Sequence, residues 1–380
     1  MQLEEVHFNH SPGTATGDAI TICRDKLSGA IVAPEWKRSP VKREPAAYAR
    51  DAITGPVTIK AKFSGGPKNA TRNVRAIDAT TPPAQKQGCA GFITWLIETL
   101  VRAIFGTNSE VVSTPVTFNG SGNSGLTSFQ LNAPWLTSSG YVSKRNVVWR
   151  WQYDQNGTWT DFDTSDHTVY VSLGMPNAPW VQSGDASQLP WATALDQACS
   201  WAVLAQTADD VAARITRGVN QVPNVTYTPS TLFVDFATDS YELQAYLSAL
   251  AGGAFQMNCT DCADAVTTLS NLLGCTLAEG QFGPLNTKTF LTLSGDPSIP
   301  GDWVSWNWGY HEICWQNDYA SNTVWDGCLQ LDMSNVPGTH VAQLPVKMAF
   351  DTVSPDDYKS RLIASGSGAL KPPVRRRPVV

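Results

Sequence analysis

The chain has 380 residues, a formal net charge of −6 and a hydrophobic fraction of 42% that includes 14 tryptophans. This length favours two domains, with ample apolar side chains for their cores. The mild negative charge argues against a general nucleic-acid binder, which is usually basic. Eight cysteines are too few for a disulfide scaffold.

The chain contains no segment that reaches the roughly 18 apolar residues of a membrane span. Its longest apolar run, residues 91–106, is interrupted by Glu98 and Arg102 and predicts a buried or interface helix. The N-terminus, MQLEEVHFNHSPG, lacks the basic start and apolar core of a signal peptide. We therefore expect a chain without a membrane span that is cytoplasmic, or exported without a classical signal peptide.

Residues 1–175 predict an all-β sandwich of the immunoglobulin-like kind, with the apolar helix 91–106 inserted into it. One segment carries large apolar side chains at every second position, as strands do: Val147, Trp149, Trp151 and Tyr153. The pair Asn156-Gly157 then predicts a tight hairpin turn. Sandwich domains commonly bind partners, so this domain is a candidate for contact with a substrate, a carbohydrate or a secretion apparatus.

Residues 176–365 predict an α+β domain, and residues 366–380 predict a solvated basic tail. The stretch PNAPW, residues 176–180, is typical of a linker between the two domains. Apolar periodicity predicts three helices, in residues 190–206, 207–220 and 240–253. Thr207 is the N-cap candidate of the second helix, and strand patterns return after residue 301.

Two cysteines, Cys259 and Cys262, stand just before an amphipathic run in MNCTDCADAVTTLSNLLGC, residues 257–275. With His311 and Cys314 they have the spacing of a Cys₃His zinc site. A disulfide between them is an alternative in an exported protein. The third interpretation is a nucleophile at a helix N-terminus, where the helix dipole favours a thiolate. The remaining cysteines in this half are typical of small buried residues: Cys199, Cys275, Cys314 and Cys328.

A nucleophilic cysteine needs a histidine base and an acid that orients the histidine. His311 lies inside a strong strand pattern that is rich in tryptophan. A hairpin with its turn near residue 321 would set Asp332 opposite His311, with the two Cβ atoms roughly 5 Å apart on one face. The same register sets Asp326 opposite residue 317, near the turn. We therefore expect Asp332 to be the orienting acid.

The order of cysteine, helix, histidine and aspartate resembles the transglutaminase-like superfamily of papain-type folds. Its motif Cys-x-Asp-x-Ala, which opens a helix ending in Leu-Gly, matches the stretches CTDCA and LLGC of this chain. The resemblance covers residues 240–335 approximately and departs from the family at Met257, where glycine is common. It implies Cys259 as the nucleophile, with Cys262 as the fallback.

The resemblance further implies cysteine-dependent acyl transfer on a peptide or on a glutamine carboxamide, with no cofactor and no metal. Cys259 would attack the carbonyl, His311 would take the thiol proton, and Asp332 would hold the imidazole tautomer. The thioester would pass to water, as in a peptidase, amidase or deamidase, or to an amine, as in a cross-linking transglutaminase. The Cys259 backbone N–H is the expected oxyanion donor, and Gln256 and Tyr241 are weak side-chain candidates. The alternative function is a non-catalytic binding protein with a vestigial triad.

Overall fold

The computed structural model describes residues 1–10, 17–79, 109–132, 136, 140–181, 188–230, 232–293 and 303–380. The apolar helix expected at residues 91–106 lies outside the described residues. None of the helices in the described ranges combines the length and the apolar character needed to cross a bilayer.

The chain is mostly β-structure and divides into two compact units. The first comprises Met1–Ile22 and Ile31–Val171, and the second comprises Cys23–Ala30 and Ser172–Val380. The division after Val171 falls a few residues before the expected boundary at 175. The segment Cys23–Ala30, expected in the first domain, belongs to the second unit.

The first unit contains two five-stranded sheets, with strand orders β3-β2-β1-β5-β8 and β4-β10-β9-β6-β7. The strands are β1 (Gln2–His7), β2 (Trp36–Lys37), β3 (Lys42–Arg43), β4 (Ala46–Ala49), β5 (Thr58–Ser64), β6 (Thr71–Asp78), β7 (Ser109–Thr117), β8 (Thr127–Gln130), β9 (Ser143–Gln155) and β10 (Thr158–Ser172). Residues of both sheets contribute to one buried apolar core, as in a sandwich.

The expected hairpin is formed by β9 and β10. Gln155 pairs with Thr158, which leaves Asn156 and Gly157 as a two-residue loop. Both loop residues have positive φ, 55° and 86°, as a turn of this kind requires. Trp151 and its alternating neighbours point into the core. The prediction of an Asn-Gly turn is confirmed, whereas the immunoglobulin-like assignment stays a prediction.

Within its described residues, the second unit combines five helices with short strands. The helices are α1 (Ala192–Trp201), α2 (Ala208–Asn220), α3 (Leu243–Gly252), α4 (Cys259–Leu272) and α5 (Tyr358–Leu362). The strands are β11 (Val225–Tyr227), β12 (Val234–Asp235), β13 (Ser240–Tyr241), β14 (Phe255–Met257), β15 (Leu277–Phe282), β16 (Leu285–Thr287), β17 (Phe290–Thr292), β18 (Asn307–Trp308), β19 (His311–Gln316), β20 (Thr323–Trp325), β21 (Leu329–Asp332), β22 (Ala342–Gln343), β23 (Met348–Ala349), β24 (Ile363–Gly366) and β25 (Leu370–Arg375).

Helix α4 is the centre of this unit, because all of its residues are buried. It packs against α1 and α2 on one side and against β15 and β19 on the other. The latter two belong to a five-stranded sheet of order β23-β20-β19-β15-β25. The three helices expected from apolar periodicity are confirmed, and the Thr207 side chain caps α2 by accepting a hydrogen bond from the Asp210 amide.

The stretch PNAPW is packed rather than exposed, so the linker interpretation is wrong. The Asn177 amide donates to the Asn271 carbonyl at 3.0 Å. Trp180 is buried, and its indole N–H donates to the Thr268 carbonyl at 2.9 Å. Both acceptors lie on α4. The reason is physical: a tryptophan whose indole N–H donates to a backbone carbonyl can bury both its apolar ring and its polar N–H.

The expected basic tail is also wrong, because residues 370–375 form β25, an edge strand paired with β15. Beyond it, the Tyr241 amide donates to the Pro378 carbonyl at 2.9 Å, and the Val380 amide returns a bond to the Tyr241 carbonyl at 2.8 Å. The guanidinium of Arg376 donates to backbone carbonyls of Leu277 and Asn317. Hydrogen bonds to residues that are distant in sequence thus fix the C-terminal segment, although its sequence is typical of a solvated tail.

Helix α4 is followed by Gly274, whose φ is +100°, a value that L side chains rarely adopt. A Cβ atom at this position would lie 2.6 Å from the backbone nitrogen of Gly174. Gly274 therefore lets the two backbone segments meet where a side chain on it would not fit.

Candidate functional site

The candidate site begins at the N-terminus of α4. Asn258 caps the helix, since its side chain accepts a hydrogen bond from the Asp261 amide at 3.0 Å. Asp261 completes a capping box by accepting from the Asn258 amide at 3.1 Å. The same carboxylate accepts from the amides of Leu232 and Phe233, which ties the helix start to a neighbouring loop. Cys259 is thereby fixed as the first helical residue.

His311 opens β19, and its ring is enclosed on every side. Its Nε2 donates to Oδ2 of Asp326 at 2.9 Å. The indole of Trp308 stacks on the imidazole with ring centres 4.7 Å apart and planes 9° apart. Phe282 approaches the imidazole edge-on. His311 is 0% exposed, so its orientation is determined by these neighbours.

Asp326 is held as firmly as the histidine that it orients. Its Oδ1 accepts from the Cys328 amide at 2.7 Å, and its Oδ2 accepts from the Tyr358 hydroxyl at 2.5 Å. The Asp326 side chain is 1% exposed. These two donors, with His311, fix the position of the carboxylate.

Cys259 and His311 lie close enough for each to shift the pKa of the other. Burial raises the pKa of the Cys259 thiol, and the hydrogen bond with His311, the charge of His311 and the Glu312 amide oppose that effect. Burial lowers the pKa of His311, but the Asp326 charge and the hydrogen bonds with Asp326 and Cys259 outweigh it and raise the pKa to about 10. Because Nε2 is bonded to Asp326, Nδ1 is the nitrogen left for the thiol. The thiol is therefore not acidic, contrary to the effect expected of a helix N-terminus.

The pairing of Asp332 with His311 expected from the hairpin register is wrong. In the structure Trp325 faces Cys314, where the expected register would place Leu329. The chain then leaves the hairpin, and β21 pairs with β17 and β22 instead of β19. Asp332 consequently bonds to Nδ1 of His340 at 2.7 Å, at the surface. The carboxylate that reaches His311 is Asp326.

The zinc and disulfide alternatives find no matching geometry. Cys259 and Cys262 are free thiols, and Cys262 lies near Cys328. The Cys314 thiol donates to the Ala263 carbonyl at 3.2 Å. Among the described residues, no three His, Cys, Asp or Glu side chains are grouped so as to hold a metal ion. Of the two thiols in the motif, Cys259 is the one beside His311.

The side-chain oxyanion candidates named from the sequence do not lie at the thiol. Gln256 is exposed, and Tyr241 is fully buried against Tyr246. The structure brings Tyr227 there instead: β11 runs parallel to β14, and Tyr227 pairs with Met257, two residues before Cys259. Burial raises the pKa of Tyr227, and the nearby Cys259 thiol raises it further, so the phenol keeps its proton.

A series of aromatic rings in contact with one another leads to His311. The Tyr227 ring packs on Trp306 with centres 4.9 Å apart, and Trp306 meets Trp308 edge-on. All three are only partly buried. Sequence reasoning anticipated tryptophans beside His311 but not Tyr227, because parallel pairing of β11 with β14 leaves no local sequence signal.

Comparisons with known proteins include one solved structure that is distantly similar. No protein-family model matches the chain, and no curated protein matches its sequence. The solved structure of red sea bream transglutaminase matches with a TM-score of 0.35 and 12% sequence identity, over 80% of this chain and 49% of that enzyme. This chain spans about half the length of that transglutaminase. In structure, the chain is thus distantly similar to a transglutaminase.

Proposed function

We propose that this protein is a cysteine-dependent acyl-transfer enzyme that acts on a peptide or on a glutamine carboxamide. Cys259 is the nucleophile, His311 the general acid and base, and Asp326 the residue that orients His311. The observation that carries the proposal is the buried set of Cys259, His311 and Asp326, in which Nε2 of His311 bonds to the Asp326 carboxylate, Nδ1 has no partner among the described residues, and the Cys259 thiol lies close by. Such an arrangement activates a thiol in several unrelated folds.

The reaction proceeds in two halves. In the form of the pair that has lost one proton, the Cys259 sulfur bonds to the substrate carbonyl carbon while the remaining thiol proton passes to Nδ1 of His311. That proton then leaves with the departing amine, and a thioester remains on Cys259. Water or a second amine attacks the thioester, gives its proton to Nδ1, and Cys259 recovers the proton as it leaves.

Two donors serve the oxyanion of the tetrahedral intermediate in this proposal. One is the Cys259 backbone N–H at the start of α4, where amides have no partner within the helix. The other is the hydroxyl of Tyr227, which stays protonated because its pKa is raised. Replacing Tyr227 by Phe is expected to lower kcat about 10²-fold, the usual cost of losing one such donor.

The test uses a small acyl donor, p-nitrophenyl acetate, so that it does not depend on the natural substrate. The expected result is a burst of p-nitrophenolate and an acetyl group on Cys259, detected by mass after acid quench. Cys259→Ala should show neither, and Cys262→Ala should show both. No adduct on Cys259 in the unmodified chain would overturn the proposal and favour the binding-protein alternative.

The second half-reaction is tested with a glutamine peptide and a labelled primary amine. Release of ammonia without amine incorporation identifies hydrolysis, and incorporation identifies transamidation. Both outcomes support acyl transfer if they are lost in Cys259→Ala.

A further inference from the structure

Arg377 is a charged side chain in the interior of the second unit, although its segment reads as a solvated tail. It is 1% exposed. Its Nη1 donates to Asp264 at 2.7 Å and to Glu312 at 3.1 Å. Its Nε donates to Asp239 at 2.9 Å, and its backbone amide donates to Glu279 at 3.3 Å. One guanidinium thus lies among three fully buried carboxylates, Asp264, Glu279 and Glu312.

Two of these carboxylates belong to the elements that carry the proposed catalytic pair. Asp264 lies on α4, whose first residue is Cys259. Glu312 follows His311 on β19. Since a single nitrogen of Arg377 bonds to both carboxylates, the guanidinium links the nucleophile helix to the base strand.

Glu312 contacts the start of the nucleophile helix through its side chain, and its backbone amide lies near the Cys259 thiol, whose pKa it lowers. Its Oε2 accepts from the hydroxyl of Thr260, the next residue in the helix, at 3.0 Å, and from Gln281 at 3.0 Å. The remaining oxygen, Oε1, is the one that Arg377 holds. A shift of Glu312 would therefore move the Cys259 environment and the His311 backbone together.

We propose that Arg377 is a positioning residue that keeps Cys259 and His311 in the geometry for proton transfer by holding Glu312 and Asp264 together. The segment from β25 to Val380, called the C-terminal strap here, holds this guanidinium in place. The strap is anchored on one side by its pairing with β15 and on the other by its backbone bonds with Tyr241. This inference rests on the proposed function.

The test compares Arg377→Met and Arg377→Lys with Arg375→Gln in the full chain. Arg375 is a matched control, because it also faces Asp239, at 3.6 Å, but is partly exposed, whereas the ion pairs with Asp264 and Glu312 are made by Arg377. We expect the acetylation rate of Cys259 by p-nitrophenyl acetate to fall about 10²-fold in Arg377→Met with little change in KM, as misplacement of reacting groups does. Arg377→Lys should recover part of the rate, and Arg375→Gln should match the unmodified chain.

A second variant separates the effect of Arg377→Met on the position of the reacting groups from its effect on the stability of the fold. Arg377→Met leaves buried carboxylates without their cation, so it can lower stability by that route alone. In Arg377→Met combined with Asp264→Asn, the cation and one of its carboxyl partners are removed together, so fewer buried acidic groups are left without a cation while Glu312 still lacks its partner. We expect this double variant to regain thermal stability but not the acetylation rate.

The outcomes are distinguishable. If the unmodified chain forms no acetyl thioester on Cys259, the proposed function and this inference fail together. If it does, and the stable double variant acetylates at the same rate, the inference fails and the proposed function stands. An unchanged pH profile of Cys259 alkylation by iodoacetamide in the double variant would also overturn the positioning role.

Discussion

Asp326 and His311 share a 2.9 Å hydrogen bond between side chains that are almost wholly shielded from water. The bond commits Nε2 of His311 to the carboxylate and leaves Nδ1 for the thiol. Asp326→Asn keeps the shape but no longer fixes this tautomer. We expect kcat to fall about 10⁴-fold, as in a comparable triad, with the thermal unfolding midpoint measured alongside.

The matched control for that change is Asp332→Asn. Asp332 bonds to His340 at the surface, so its replacement should leave kcat nearly unchanged. If Asp332→Asn were the damaging change and Asp326→Asn the silent one, the assignment of the orienting acid would be reversed.

The reactivity of Cys259 should rise with pH rather than be high in mild acid. His311 has its pKa raised to about 10, and burial raises the pKa of Cys259. At neutral pH the Cys259 thiol and the His311 imidazolium therefore both keep their protons. The reactive thiolate forms only when this pair of groups loses one proton. Alkylation by iodoacetamide, followed by mass mapping, should accelerate about tenfold per pH unit from pH 7 towards the pKa of the pair.

His311→Ala supplies the control for this pH profile. It removes the hydrogen bond and the charge that lower the pKa of Cys259, so alkylation should slow and its midpoint should move to higher pH. A profile already flat at pH 6 in the unmodified chain would contradict the titration scheme.

Trp308 should set the midpoint of that profile through its stacking on His311 at 4.7 Å. An indole face stabilises a neighbouring cation by about 0.5–2 kcal/mol, and about 1.4 kcal/mol corresponds to one pKa unit. Trp308→Leu should therefore lower the pKa of His311 and shift the alkylation curve to lower pH by up to about one unit. Trp303→Leu, which removes a similar stack on His340 instead, should leave the midpoint in place.

Gly274→Ala should destabilise the second unit. The new Cβ would lie 2.6 Å from the Gly174 nitrogen, at a backbone φ of +100°. We expect the free energy of unfolding in urea to drop by more than about 2 kcal/mol. Gly252→Ala, at the end of α3 with nothing within 4 Å of the new Cβ, should cost nothing. Equal effects of the two changes would rule out the close approach of the two backbones.

The parts of this structure that the sequence predicts are those with local signals. The capping pair of Asn258 and Asp261 marks the start of α4, and Asn156-Gly157 marks a hairpin. The position of Cys259 at a helix N-terminus follows from the first of these. In each, a few adjacent residues carry the hydrogen bonds that determine the conformation.

The orienting acid could not be found in that way. The expected hairpin register assumed one continuous strand from the turn to Asp332. In the structure the pairing with β19 ends at Trp325, and the next amide, that of Asp326, donates to the Pro345 carbonyl. That change of partner depends on β21 pairing with β17, which is distant in sequence. Arg377 was missed for the same reason, since its carboxylate partners lie far upstream.

The buried carboxyl groups near Arg377 also make the stability of the second unit depend on pH, because folding raises their pKa values. Burial raises the pKa of Asp264 well above its usual value, and the adjacent Glu279, whose own pKa burial raises, adds to the shift. A carboxyl group with a raised pKa in the folded chain adds stability in full below its unfolded value, near 4, and loses it as pH rises through the folded value. Mild acid should therefore protect this unit against urea relative to Asp264→Asn, in which the proton is replaced by a permanent amide.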